Sequence, residues 1–108
     1  MEQLLEMYKE DMIRERTIIG VGRAGTFGSD ESYIRINRRS DANIYKDGDP
    51  VQITVIEAGQ GEMRSTLRVR GTFADADRDV MLIFSARACN ELGIIGPVEV
   101  LMEPLPQD

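Results

Sequence analysis

Over residues 1–15 the apolar side chains Met1, Leu4, Leu5, Tyr8 and Met12 recur at helical spacing, while Glu2, Glu6, Lys9, Glu10 and Arg14 fill the opposite side. This pattern predicts an amphipathic N-terminal helix, with acids in its first turn and arginine near its end, as the helix dipole favours. After Arg16 the period shortens, and β-rich runs broken by glycine and polar turns predict strands near 17–21, 33–37, 51–58, 65–70, 80–84 and 98–103. Apolar and polar residues alternate along Val51-Gln52-Ile53-Thr54-Val55-Ile56 and Thr66-Leu67-Arg68-Val69-Arg70, so each strand turns one side to a core. Asp47-Gly48-Asp49-Pro50 is a turn signal, and Ala58-Gly59-Gln60-Gly61-Glu62 reads as the loop of a hairpin. One short helix interrupts the strands: Ser85 is placed as its N-cap, Ala86, Ala88, Cys89 and Leu92 form its apolar face, and Gly93 ends it. No internal repeat is evident. The expected organisation is a helix over 1–15, a barrel domain over 16–103 and a tail over 104–108.

Composition narrows the chemistry. The 108 residues suffice for one modest core, and 42% hydrophobic with 30% charged residues is an ordinary globular balance. The apolar runs are too short to span a bilayer, and the N-terminus lacks the basic and apolar regions of a secretory signal, so the expectation is a cytoplasmic chain without a membrane partner. A lone Cys89 excludes an intramolecular disulfide, and the absence of histidine removes imidazole ligands and His-based triads. The net charge of −6 speaks against nucleic acid as the default partner. Charge is uneven, however: residues 16–46 carry six basic against three acidic side chains, including Arg23, Arg35, Arg38 and Arg39, and are the one segment able to present a basic patch.

Three segments imitate functional motifs. Gly20-Val21-Gly22-Arg23-Ala24-Gly25 is a literal G-x-G-x-x-G, but phosphate binding there requires a helix immediately afterwards, and 26–32 is too short and turn-like for a crossover. Asp75-Ala76-Asp77-Arg78-Asp79 opens like a calcium loop, yet Val80 stands where the turn needs glycine and Ala86 where a closing glutamate belongs. Cys89 has small apolar helical neighbours and no histidine to activate it, which predicts a buried structural thiol. Arg70 with Asp75 or Asp77 is expected to form a loop ion pair.

The C-terminal half resembles a known family. Arg70-Gly71-Thr72-Phe73, the acidic loop, Val80-Met81-Leu82-Ile83-Phe84-Ser85, then Ala86-Arg87-Ala88-Cys89-Asn90-Glu91-Leu92-Gly93 and Val98-Glu99-Val100 together resemble the double-psi β-barrel of rare lipoprotein A and its barwin and expansin relatives. The resemblance implies a double-psi-like barrel fold and, for lytic members, one aspartate before the Arg-Gly pair and another before the Leu-Ser at the helix start. Here Val69 and Ile83 hold those places, so the resemblance implies the fold without a proton donor for glycan cleavage.

The fold class expected is therefore mainly β: a small six-stranded double-psi-like barrel with one short internal helix and an N-terminal amphipathic helix. The function expected is a non-catalytic interaction or assembly module, a structural subunit of a larger particle such as a virion, joined through a protein partner or self-association. Leu4, Leu5, Tyr8, Met12, Arg23 and Phe27 are the expected contact residues, and Arg70 and Asp77 the expected ligand contacts. No catalytic residue, metal or cofactor is expected. The alternatives are a carbohydrate-binding or residual glycan-processing barrel, and an anion or nucleic-acid binder using residues 16–46.

Overall fold

The computed structural model describes residues 16–57 and 61–105. The helix expected over 1–15, with Leu4, Leu5, Tyr8 and Met12, lies outside the described residues, as do positions 58–60 and the last three of the tail. The described elements are strands β1 (Ile18–Ala24) and β2 (Tyr33–Asn37), a 3-10 turn (Asp41–Ile44), strands β3 (Pro50–Glu57), β4 (Gly61–Phe73) and β5 (Val80–Phe84), helix α1 (Ala86–Leu92) and strand β6 (Val98–Pro104).

The six described strands close into a barrel in the order β1-β5-β2-β4-β3-β6. Closure leaves no unpaired edge, so the polar groups of every strand backbone find partners on both sides. β1 runs parallel to β5 and β2 parallel to β4, each pair carrying a register shift, and the other four pairings are antiparallel. β4 is long because it serves two neighbours, its residues 61–68 pairing with β3 and its residues 68–73 with β2. The order is unchanged when β1 is exchanged with β4, β2 with β5 and β3 with β6. The barrel is thus built from two β-β-turn-β halves, with the 3-10 turn in one at the place of α1 in the other. No sequence repeat announces this, because the halves share topology and not side chains.

Alternation on each strand decides what fills the barrel. Ile34 and Ile36 of β2, Val51, Ile53 and Val55 of β3, Val69 of β4, Leu82 and Phe84 of β5, and Val100 and Met102 of β6 are all buried in one core. Their neighbours in sequence, such as Tyr33, Arg35 and Arg70, turn outward. At Phe84, fully buried, truncation to alanine costs about 3–5 kcal/mol by the usual large-to-small rule.

Helix α1 forms as the sequence predicts. Ser85 accepts from the Ala88 amide, and Gly93 ends the helix at φ 69°, a left-handed conformation glycine adopts without penalty. The 3-10 turn was not foreseen. It is a single turn capped by Ser40, with Ala42 buried in the core, and four residues are too few to carry a periodic signal.

Candidate functional site

The loop between β1 and β2 is knitted onto the start of α1. Gly25 N–H donates to Phe84 O at 2.9 Å, Ala86 N–H to Phe27 O at 2.6 Å and Arg87 N–H to Gly28 O at 3.1 Å. Ser85 ties the remainder: its hydroxyl donates to Glu31 O at 2.8 Å and accepts from Tyr33 N–H at 3.0 Å and Ala88 N–H at 3.3 Å. Ser32 adds a hydroxyl bond to Glu91 at 2.8 Å, which with Arg87 holds the Glu91 carboxyl below the usual carboxylate range. The first amides of α1 are thereby consumed inside the protein, not turned toward a ligand. The glycine motif has the same meaning. A Cβ on Gly22 would stand 2.6 Å from the Phe84 ring, and one on Gly25 would stand 2.6 Å from Phe84 O. These glycines let β1 approach β5 closely and form no phosphate cradle.

This anchored loop presents a cationic and aromatic surface on the outer wall of β2 and β4. Phe27 and Tyr33 lie with ring centroids 5.6 Å apart. The Arg35 guanidinium sits 4.0 Å from the Phe27 centroid, and the Arg70 guanidinium 5.9 Å from that of Tyr33. Arg70 is also paired with Glu31 at 2.7 Å. Among the described residues no carboxylate forms an ion pair with Arg35. Arg68 stands opposite Tyr33 in the parallel register and donates to Gly48 O, while Arg23 and Arg35 flank Ile83 in one row across β1, β5 and β2. Three arginines, Arg35, Arg68 and Arg70, therefore share one wall of an otherwise acidic protein.

Arg23 is at the edge of this row and is held by Asp75. Asp75 belongs to a loop of nested turns, in which its carboxylate accepts from Asp77 N–H and the Asp77 carboxylate accepts from Asp79 N–H, each at 2.9 Å. The Asp77 amide first, and Arg23 after it, hold the Asp75 carboxyl below the usual range despite an opposing effect of burial. The whole loop hangs on Asn37, fully buried, whose amide donates to Asp77 O at 3.1 Å and to Val80 O at 2.7 Å. Its oxygen accepts from Arg39 N–H at 3.1 Å and Asp75 N–H at 3.2 Å. Arg70 pairs with Glu31 and not with Asp75 or Asp77, so the expected loop ion pair is replaced, and Arg70 and Asp77 are not paired with each other. Among the described residues no cluster of three or more acidic or thiol side chains is arranged to hold a metal.

A concave feature lies over β1, between the turn that follows β2 and the loop that enters β5, with Glu99 of β6 at its rim. A groove of about 350 Å³ is bordered by Ile18, Ile19, Val21 and Met81 on its apolar side and by Ser40, Asp41, Asp79, Glu99 and Arg78 on its polar side. Ile19 is 62% exposed there. The turn after α1 carries Ile95, 99% exposed, at the barrel end that also holds the 25–32 loop.

The positions that the family resemblance equates with two carboxylates do not converge. Val69 is fully buried in register with Ile34 and points into the core, whereas Ile83 pairs with Arg35 between two buried residues and points outward. β2 separates them, and they face opposite sides of the wall. Cys89 is buried, with its sulfur 3.9 Å from Phe84 O, as expected of a structural thiol. Tyr33 was missed by the sequence reading, Arg35 was named only as one cation of a possible basic patch, and Glu31 was missed as well. The alternation of 33–37 would have found the first two, since burying Ile34 and Ile36 forces Tyr33 and Arg35 outward. Among the described residues no helix is long and apolar enough to cross a membrane. The chain matches no protein-family model and no curated protein.

Proposed function

We propose that this chain is a non-enzymatic β-barrel interaction module, a subunit of a larger assembly, which recognises an acidic protein surface through Phe27, Tyr33, Arg35 and Arg70. The observation that carries this reading is Arg35 of β2: its guanidinium stacks on Phe27 at 4.0 Å, without a carboxylate partner among the described residues, and Phe27 sits on a loop fixed in advance by backbone bonds. Stacked arginine keeps its fork of donors free for carboxylates and loses little side-chain freedom on binding, which is what makes arginine and aromatic residues interface anchors. Neighbouring Arg68 and Arg70 add the long-range attraction that speeds encounter with an acidic partner. Val69 and Ile83 are apolar and face opposite sides of the wall, so these two positions offer no carboxylate pair for glycan cleavage. Two parallel strand pairs and the exchange symmetry of the barrel support the double-psi reading of the fold.

A fluorescent peptide alternating glutamate and leucine tests the proposal. Saturable binding to the full chain is expected, falling at least about tenfold for Arg35→Glu with Arg70→Glu and weakening between about 0.05 and about 0.5 M salt. Binding that ignores the arginines overturns it. So does saturable binding of peptidoglycan fragments lost in Arg70→Ala, which would mark the surface as a sugar site; stacked Arg35 already covers a face of Phe27 where a sugar ring would lie.

A further inference from the structure

The cationic wall and the acidic groove are two separate surfaces of one barrel. The wall is built on β2 and β4 with the 25–32 loop, whereas the groove is lined by β1, by Glu99 of β6, by Met81 of β5 and by the turns at 40–41 and 78–79, so the two surfaces share no residue. One surface offers Arg35, Arg68 and Arg70, the last paired with Glu31, around Phe27 and Tyr33; the other offers Asp41, Asp79 and Glu99, with Arg78 among them, around exposed Ile19 and half-buried Val21. Each surface pairs an apolar centre with a charged rim, and the rims are of opposite net sign. A volume of about 350 Å³ is at the small end for a drug-sized ligand but suits side chains of a protein surface.

We infer that the occupant of the groove is a second copy of this chain, docked head to tail. The cationic wall of one copy covers the groove of the next, with arginines meeting Asp41, Asp79 and Glu99 and the aromatic pair covering Ile19 and Val21. This deepens the proposed function and rests on it, because the wall is the same surface. The two contact patches differ, so the contact is heterologous: every added copy presents a fresh wall at one end and a fresh groove at the other, and growth gives a ring or a filament, not a closed two-fold dimer. Charge complementarity also fixes the direction, because wall against wall and groove against groove set like charges together.

Sedimentation velocity on the full chain tests this with two half-blocked variants, Arg35→Glu with Arg70→Glu on the wall and Asp79→Asn with Glu99→Gln at the groove, the latter neutral so that it does not attract the reversed wall. All four positions are exposed or half-exposed, and unchanged circular dichroism and melting verify that both variants fold. The unsubstituted chain is expected to form species larger than a dimer as concentration rises, dissociating as salt is raised. Each variant alone is expected to be monomeric. Their equimolar mixture is expected to give a 1:1 dimer that grows no further, since one intact wall then meets one intact groove. A monomeric unsubstituted chain up to about millimolar concentration overturns the inference. So does a wall variant that dimerises alone, or a mixture that stays monomeric. Should the chain be monomeric while the glutamate-leucine peptide still binds the wall, the proposed function stands and only the head-to-tail contact fails.

Discussion

Asn37 is the most consequential polar side chain in the barrel, and its replacement by alanine tests how the acidic loop is held. Four hydrogen bonds are removed at once, two donated to Asp77 O and Val80 O and two accepted from Arg39 and Asp75 N–H, in a residue with no solvent exposure. At about 1 kcal/mol net for each bond the upper figure is about 4 kcal/mol. Water reaches the exposed Asp77 and Arg39 and replaces part of that loss, which sets the expected destabilisation at about 2–4 kcal/mol. With a slope of about 2 kcal/mol per molar urea, the midpoint falls by about 1–2 M while the slope is unchanged. The chain has no tryptophan, so tyrosine emission and far-ultraviolet circular dichroism are the probes. Asn37→Asp sharpens the test. It keeps the acceptor but sets a buried carboxylate against two carbonyl oxygens, which raises its folded pKa above the unfolded value of about 3.9. A raised pKa means that this variant is relatively most stable below about pH 4, where a protonated carboxyl donates one bond again, and loses stability as pH rises through the folded value. An Asn37→Ala protein within about 0.5 kcal/mol of the parent, or an Asn37→Asp protein equal to it at neutral pH, would refute the reasoning.

Gly22→Ala drives a methyl group toward the Phe84 ring at 2.6 Å inside the core, and a loss of about 1–3 kcal/mol is expected in the same urea assay. Ser85→Ala removes the cap of α1 and two bonds that anchor the loop; about 2–3 kcal/mol of stability should go with it, and peptide binding at Phe27 and Arg35 should weaken in parallel. Burial pushes the Tyr45 phenol up to about 12, against a partial opposing effect of Arg16, whose guanidinium lies 4.7 Å from the ring centroid. Its contribution is therefore complete below about pH 10, the unfolded value, and is lost as pH rises through 12, a limb that Tyr45→Phe should flatten in stability measured against pH.

Much of this architecture was legible in the order of residues. β2 and β5 fall where the alternation and apolar runs put them, and Ser85 and Gly93 bound α1 because a cap and a left-handed stop are local requirements met by single side chains. The same local logic dismissed the glycine motif, since no helix follows Gly25. Strand ends were less legible. β4 continues past Arg70 to Phe73 because β2 lies alongside to receive it, and β1 reaches Ala24 because β5 does the same. Those limits are set by a neighbour distant in sequence.

Only tertiary structure decided how the wall and groove are assembled. Residues 27, 33, 35 and 70 lie in three separate segments, and they meet because Ser85 and the first amides of α1 pull the 25–32 loop across β2 and β4. The partner of Arg70 was likewise a matter of closure: Asp75 and Asp77 are nearer in sequence, but Asn37 draws their loop inward, and Glu31 arrives instead. Periodicity along a chain reports which side of a strand is buried, because burial acts on each residue singly. Which strands become neighbours, and hence which charges share a surface, depends on pairing across the closed barrel, and no single stretch of sequence contains that information.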